Sequence, residues 1–118
     1  MKKLLALLTL ALLLLLPARG GEDPHAAVLG RYDCVAVAQG RVAIAGMGEY
    51  IELSQDGAGR LSLSGVPMEG SWSLAGSDFA LTVQNEQGET AYDLAGQLQG
   101  EVLTVEIEGY TCTFVKAG

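Results

Sequence analysis

The chain has 118 residues, seven of them basic and fourteen acidic, which is room for one domain with a net charge of −7. Basic patches are absent, so binding to nucleic acid phosphates has no electrostatic footing. Sixteen glycines and no long stretch of apolar residues at helical spacing exclude a helical bundle.

The first segment begins Met1-Lys2-Lys3 and continues with thirteen residues, Leu4 to Leu16, all apolar except Thr9. Pro17 and Ala18-Arg19-Gly20 follow. A basic start, an apolar run and a small-x-small site are the marks of a cleavable secretory signal peptide over 1–20. The competing reading is a membrane anchor, but a spanning helix needs ~20 apolar residues. A lipid anchor would require a cysteine directly after the cut, whereas the first cysteine is Cys34. The expected product is secreted, soluble and not a lipoprotein, with no membrane span. Cleavage removes Lys2, Lys3 and Arg19 and leaves four basic residues against fourteen acidic ones, a net of −10. Such a charge disperses an exported protein and, weakly, favours cationic partners.

Residues 21–29 read as a linker, rich in charge and small residues at a chain end, where order is poorest. From Gly30 to Lys116 the pattern becomes strict period-two alternation broken by glycine, the signature of antiparallel strands. Eight main strands are expected near 30–38, 49–55, 60–65, 71–76, 78–84, 90–98, 101–107 and 110–116. Arg41 to Ala45 fits a short ninth strand, an extension of the first hairpin or an irregular crossover.

Turn residues set the expected pairings. Gln55 to Gly59 pairs Leu53 with Leu61 and Ile51 with Leu63. Gly76-Ser77, a two-residue loop with glycine first, pairs Leu74 with Phe79 and Trp72 with Leu81. Gln87-Gly88 brings Val83 to Tyr92 and Leu81 to Leu94. Gly100-Glu101 sets Leu98 opposite Leu103, and Glu108-Gly109 sets Ile107 opposite Tyr110, Val105 opposite Cys112 and Leu103 opposite Phe114. Every pairing keeps one apolar face, which a one-residue slip would throw to solvent. Trp72, Phe79, Tyr92, Tyr110 and Phe114 are the expected aromatic core, joined by Tyr32, while Tyr50 faces out. A sheet with one dry face buries it by curling closed. The fold class is therefore all-β, an antiparallel up-and-down meander of about eight strands closed into a small barrel, with the first and last strands adjacent.

Cys34 lies on the first strand and Cys112 on the last, both inward. In an exported protein the simplest reading is a disulfide pinning the seam; free thiols or a metal pair are the alternatives. A metal pair would want histidine or more cysteines as company, and the only histidine, His25, is in the linker.

Gly30-Arg31-Tyr32, Glu49-Tyr50-Ile51-Glu52-Leu53 with Asp56-Gly57-Ala58-Gly59, Trp72, Phe79 and Phe114-x-Lys116 together resemble small exported bacterial lipocalin-like β-barrel domains. These carry the pattern G-x-Y…YIEL-x-x-DG-x-G…W…F…F-x-K. The resemblance spans roughly Gly30 to Lys116 and rests on strand and turn residues, so what it implies is a fold rather than an activity. Many such domains are lipoproteins without an assigned activity; this chain differs in lacking the lipid-site cysteine and in carrying a cysteine pair.

Catalysis finds little footing. A serine or cysteine nucleophile needs a base beside it, and none is offered beyond the linker histidine and Lys116 near the chain end. The carboxylate pairs Glu106/Glu108 and Glu49/Glu52 read as solvated strand faces, and one carboxylate in Asp56 to Gly59 makes a turn, not a calcium loop. No enzyme, cofactor or metal site is expected. Two roles stand: a non-catalytic interaction module for an unknown protein or envelope component, or a carrier of a small apolar ligand inside the barrel. Five inward aromatics on short strands suggest a mostly filled interior, which favours the module.

Overall fold

A computed structural model describes residues 26–117; the expected signal peptide and the linker up to His25 lie outside them. Nine strands follow in chain order: β1 (Gly30–Gln39), β2 (Val42–Ala45), β3 (Tyr50–Leu53), β4 (Ala58–Leu63), β5 (Val66–Ala75), β6 (Asp78–Gln84), β7 (Thr90–Gln99), β8 (Val102–Ile107) and β9 (Tyr110–Lys116). All pairings are antiparallel between chain neighbours, except that β1 also pairs with β3 and with β9. The β1–β9 ladder, from Tyr32↔Lys116 to Ala38↔Thr111, closes eight strands into a barrel. The ninth, β2, is the Arg41–Ala45 stretch: it folds back on the far half of β1 as a hairpin, outside the closed wall. No helix among the described residues is long and apolar enough to cross a membrane.

The alternation in the sequence becomes the inside of the barrel. Tyr32, Ile51, Leu53, Leu61, Leu81, Val83, Leu103, Val105 and Phe114 are all less than 2% exposed and belong to one cluster, with Trp72 and Phe79 buried among them. The expected registers of β5–β6, β6–β7, β7–β8 and β8–β9 are present residue for residue, among them Trp72↔Leu81, Val83↔Tyr92, Leu98↔Leu103 and Leu103↔Phe114.

The β3–β4 register differs. Ile51 faces Leu61, and Leu53 faces Gly59, two residues from the expected pairing. The loop is shorter than the turn signal implied: Ser54 N–H donates to Ala58 O at 2.8 Å, and Asp56 and Gly57 adopt left-handed φ of 61° and 76°. A two-residue shift leaves every side chain on its face, so the core is unaffected.

β5 also begins earlier than expected, at Val66 rather than near 71. Ser64 and Gly65, with φ of 55° and 81°, form a tight two-residue turn that pairs Leu63 with Val66. At the other end of the barrel, Ala26–Val28 forms a single 3₁₀ turn, so the segment read as a linker ends as part of the domain. Val28 and Leu29 pack on the core, Tyr32 Oη donates to Val28 O at 2.7 Å, and Lys116 Nζ donates to Ala27 O at 2.7 Å.

Candidate functional site

β1 is ten residues long and β3 only four, so β3 covers the first part of β1 and leaves the rest to β2. The link from β2 to β3 is stitched to β1 where a bulge interrupts the seam ladder between Cys34 and Ala36. Gly46 N–H donates to Val35 O at 3.2 Å, Cys34 N–H to Glu49 O at 2.9 Å, and Met47 N–H to Glu49 Oε1 at 2.7 Å. β2 thus continues the line of β3 beyond the end of the wall, because β4 stops at Leu63. β2 and the turn that leads into it form a flap on the far half of β1, which itself stays in the wall as far as Ala38↔Thr111.

The flap is apolar on both sides. One side carries Val37, Val42 and Ile44, which with Gln39 and Tyr110 of β9 line a groove of about 260 Å³. The other side carries Ala36, Ala38, Ala43 and Ala45, paired across the hairpin as Ala36↔Ala45 and Ala38↔Ala43. Val42 is 69% exposed, Ile44 55% and Met47, just after β2, 83%. From Cys34 to Gly48 the sequence has no acidic residue, and its one charge is Arg41 in the hairpin turn. Exposed apolar side chains gathered in this way mark contact surfaces rather than ordinary surface scatter.

A second groove, about 590 Å³ and open to solvent, opens at the same rim between Val66–Glu69 of β5 and the β6–β7 loop Gln84–Gly88. That loop is held by Asn85, whose Oδ1 accepts from the N–H groups of Gln87 and Glu89, each at 3.0 Å. Elsewhere the wall carries ordinary surface pairing. Arg31 stacks over Tyr50 at 3.9 Å and meets Asp33 at 2.8 Å, and Arg60 bridges Glu52 and Glu69 at 3.4 Å each. Glu52 is thereby tied to Arg60, Glu49 to the Met47 amide, Glu106 faces out opposite Thr111, and Glu108 is in a turn with φ of 51°.

Of the aromatic residues expected in the core, Trp72, Phe79 and Phe114 are there, and Tyr92 packs half-buried at its margin. Tyr110 is not: it is 42% exposed. It is the first residue of β9, at the rim, where its ring meets the flap groove instead of the interior.

The expected Cys34–Cys112 disulfide is not formed in this structure. Both cysteines are buried and both are free. The seam does join their strands, but its register sets Cys34 opposite Phe114 and, past the bulge, Cys112 opposite Val37. The two cysteines are therefore diagonal neighbours across the bulged seam rather than a directly opposed pair. Burial pushes the Cys34 thiol up to about 11, with Glu49 adding to the shift, and burial raises Cys112 for the same reasons. Thiols held in this way are protonated at neutral pH and poor nucleophiles.

The flap was the part of the site that sequence reading left open. Its signal was present in Arg41-Val42-Ala43-Ile44-Ala45, an apolar strand with no partner assigned, inside the longest acid-free stretch of the domain.

The class that this geometry defines is a small closed up-and-down β-barrel of lipocalin-like form, with a buried apolar interior and an apolar flap at its rim. No family model matches the chain, and a search of curated proteins found no match. Among solved structures, the chain is similar to a lipocalin-like protein from Bacteroides uniformis ATCC 8492, with a TM-score of 0.55 and 15% identity over 77% of this chain and 99% of that one. It is also similar to an uncharacterized protein from Bacteroides eggerthii DSM 20697, with a TM-score of 0.53 and 12% identity over 76% of this chain and 99% of that one. At these identities the likeness is one of fold.

Proposed function

We propose that this protein is a non-catalytic interaction module that works outside the cytoplasmic membrane and docks through its rim flap. Export is inferred from the basic start, short apolar run and small-x-small site of residues 1–20. The observation that carries the reading is the exposure of Val42, Ile44 and Met47 on and just after β2, the one described strand outside the closed wall. A photo-crosslinking residue at Ile44, compared with one at Thr82 on the barrel flank, tests it in the producing cells. Adducts from position 44 and none from 82 are expected; equal or absent labelling at the two positions contradicts the docking role.

The second reading is carriage of a small apolar ligand, supported by the lipocalin-like fold and by the two grooves at the rim. With the described interior occupied by the buried cluster, such a ligand would sit at the mouth rather than along the axis. Mass spectrometry of an organic extract of protein purified from its host would reveal it, and an empty extract would count against it.

A further inference from the structure

The flap has a free edge as well as free faces. We propose that β2 pairs with β2 of a second copy of this chain, antiparallel across a two-fold axis, so that the protein is a dimer joined at its flaps. The proposal rests on the docking role of the flap and names its occupant.

β2 is bonded along one edge only, to β1. Gln39 and Val42 flank the two-residue loop Gly40-Arg41, and in such a hairpin the flanking residues exchange both backbone hydrogen bonds. The pattern alternates, so Val42 and Ile44 point their N–H and C=O groups toward β1. Ala43 and Ala45 point theirs away, past the end of β4, to solvent. Strand edges are normally protected by charge, proline or a covering element. Within Val42–Ala45 there is no charge and no proline.

The exposed edge is complementary to itself. An antiparallel pair centred on Ala43 lets the two Ala43 residues exchange both of their hydrogen bonds. It places each Val42 opposite Ile44 of the other copy and each Arg41 opposite Ala45. Branched apolar side chains then face each other on one side of the new sheet, and small ones on the other, the kind of cross-strand pair that stabilises sheets. The two arginines lie at opposite ends of the seam.

Charge selects the occupant. Two copies, each at −10 once the signal is removed, repel over most of their surface. The longest stretch of the domain without a carboxylate, 34–48, holds β2, so a two-fold through β2 joins the copies where acidic residues are absent from the strand and its flanks. An anionic lipid surface would be repelled by the acidic walls. A dimer of this kind tightens as salt screens the walls, since the Debye length is only ~10 Å at 0.1 M, whereas a cationic partner would be lost.

Sedimentation equilibrium of the exported protein over a range of concentration and salt is the test. A concentration-dependent dimer that strengthens with salt is expected. Ala43→Pro should abolish it, because proline removes only the outward N–H and leaves the β1–β2 ladder intact; Ile44→Lys, which buries like charge at the seam, should do the same. Hydrogen exchange of the unaltered protein provides a readout independent of how the variants fold: the Ala43 and Ala45 amides should be slowed at high concentration and fast at low. A monomer at every concentration and salt, or a dimer that leaves those two amides fast, overturns the pairing. If the monomer still yields Ile44 adducts with another component, the docking role survives and only the second copy is wrong.

Discussion

Gly59 lies inside β4 with its α-carbon turned toward the indole of Trp72 and the side chain of Leu81. A β-carbon built there would be 2.7 Å from Leu81 Cδ1 and 3.3 Å from Trp72 Cδ1. The residue that reads as the last position of a turn is a packing glycine, and this explains both the short β3–β4 loop and the shifted register. Gly59→Ala should therefore destabilise by ~1–3 kcal/mol through overpacking, and Trp72→Ala by ~3–5 kcal/mol through the cavity left behind. Thermal or urea unfolding measures both, and native indole emission should be that of a buried ring whose Nε1 donates to Ser54 O at 3.0 Å. The thiols give a pH signature at the same scale. Cys34 ionises near 9.0 in an unfolded chain and about 11 in the fold, so above pH 9 the unfolded state sheds a proton that the folded state keeps. The contribution from Cys34 is complete below pH 9 and lost as pH rises toward 11. The stability difference between the protein and Cys34→Ala should be constant below pH 9 and change only in that window. A thiol reagent at neutral pH should find both cysteines silent until the chain unfolds.

Elements are decided by turns as much as by alternation. Four consecutive hairpins from β5 to β9 were legible, because each has a loop whose glycine needs a left-handed φ and flanks whose apolar residues agree on one face. The β4–β5 hairpin was only half legible. Ser64 occupies a left-handed position where asparagine is the usual choice, and Pro67, Glu69 and Gly70 interrupt the alternation of β5. Ser64→Asn should accordingly raise stability by about 0.5–1 kcal/mol, as a relief of left-handed backbone strain, with no change in the far-ultraviolet spectrum. The flap was illegible for a different reason. Strand pairing beyond a closed wall leaves no buried face, so periodicity in β2 cannot say what it packs against. The seam itself was legible in which strands it joins and not in its register: Cys34 pairs with Phe114, two residues from Cys112, and the bulged Val35 then moves Cys112 from opposite Ala36 to opposite Val37.

For the whole molecule, the barrel and the flap divide stability and contact between them. The closed wall has no edge among its eight strands, its interior is one buried cluster, and Lys116 ties the 3₁₀ turn to β9 at the end opposite the flap. The flap exposes its apolar side chains to water in the isolated chain, so removing them takes little burial away. A paired comparison follows from this division. Phe114→Ala, in the core beside the β1–β9 seam, should cost ~3–5 kcal/mol in unfolding free energy. The double variant Val42→Thr with Ile44→Thr should stay within ~0.5 kcal/mol of the parent, as surface changes do, provided the comparison is made at a concentration where the chain is monomeric, since any association through the flap would add its own free energy to the parent. Threonine keeps the β-branched shape and the hairpin while removing most of the apolar contact. The same double variant should lose the crosslinks from the flap, read at Met47 because position 44 is then altered. A barrel that unfolds when only Val42 and Ile44 are changed would show that the flap belongs to the core after all, and the separation of the two roles would be wrong.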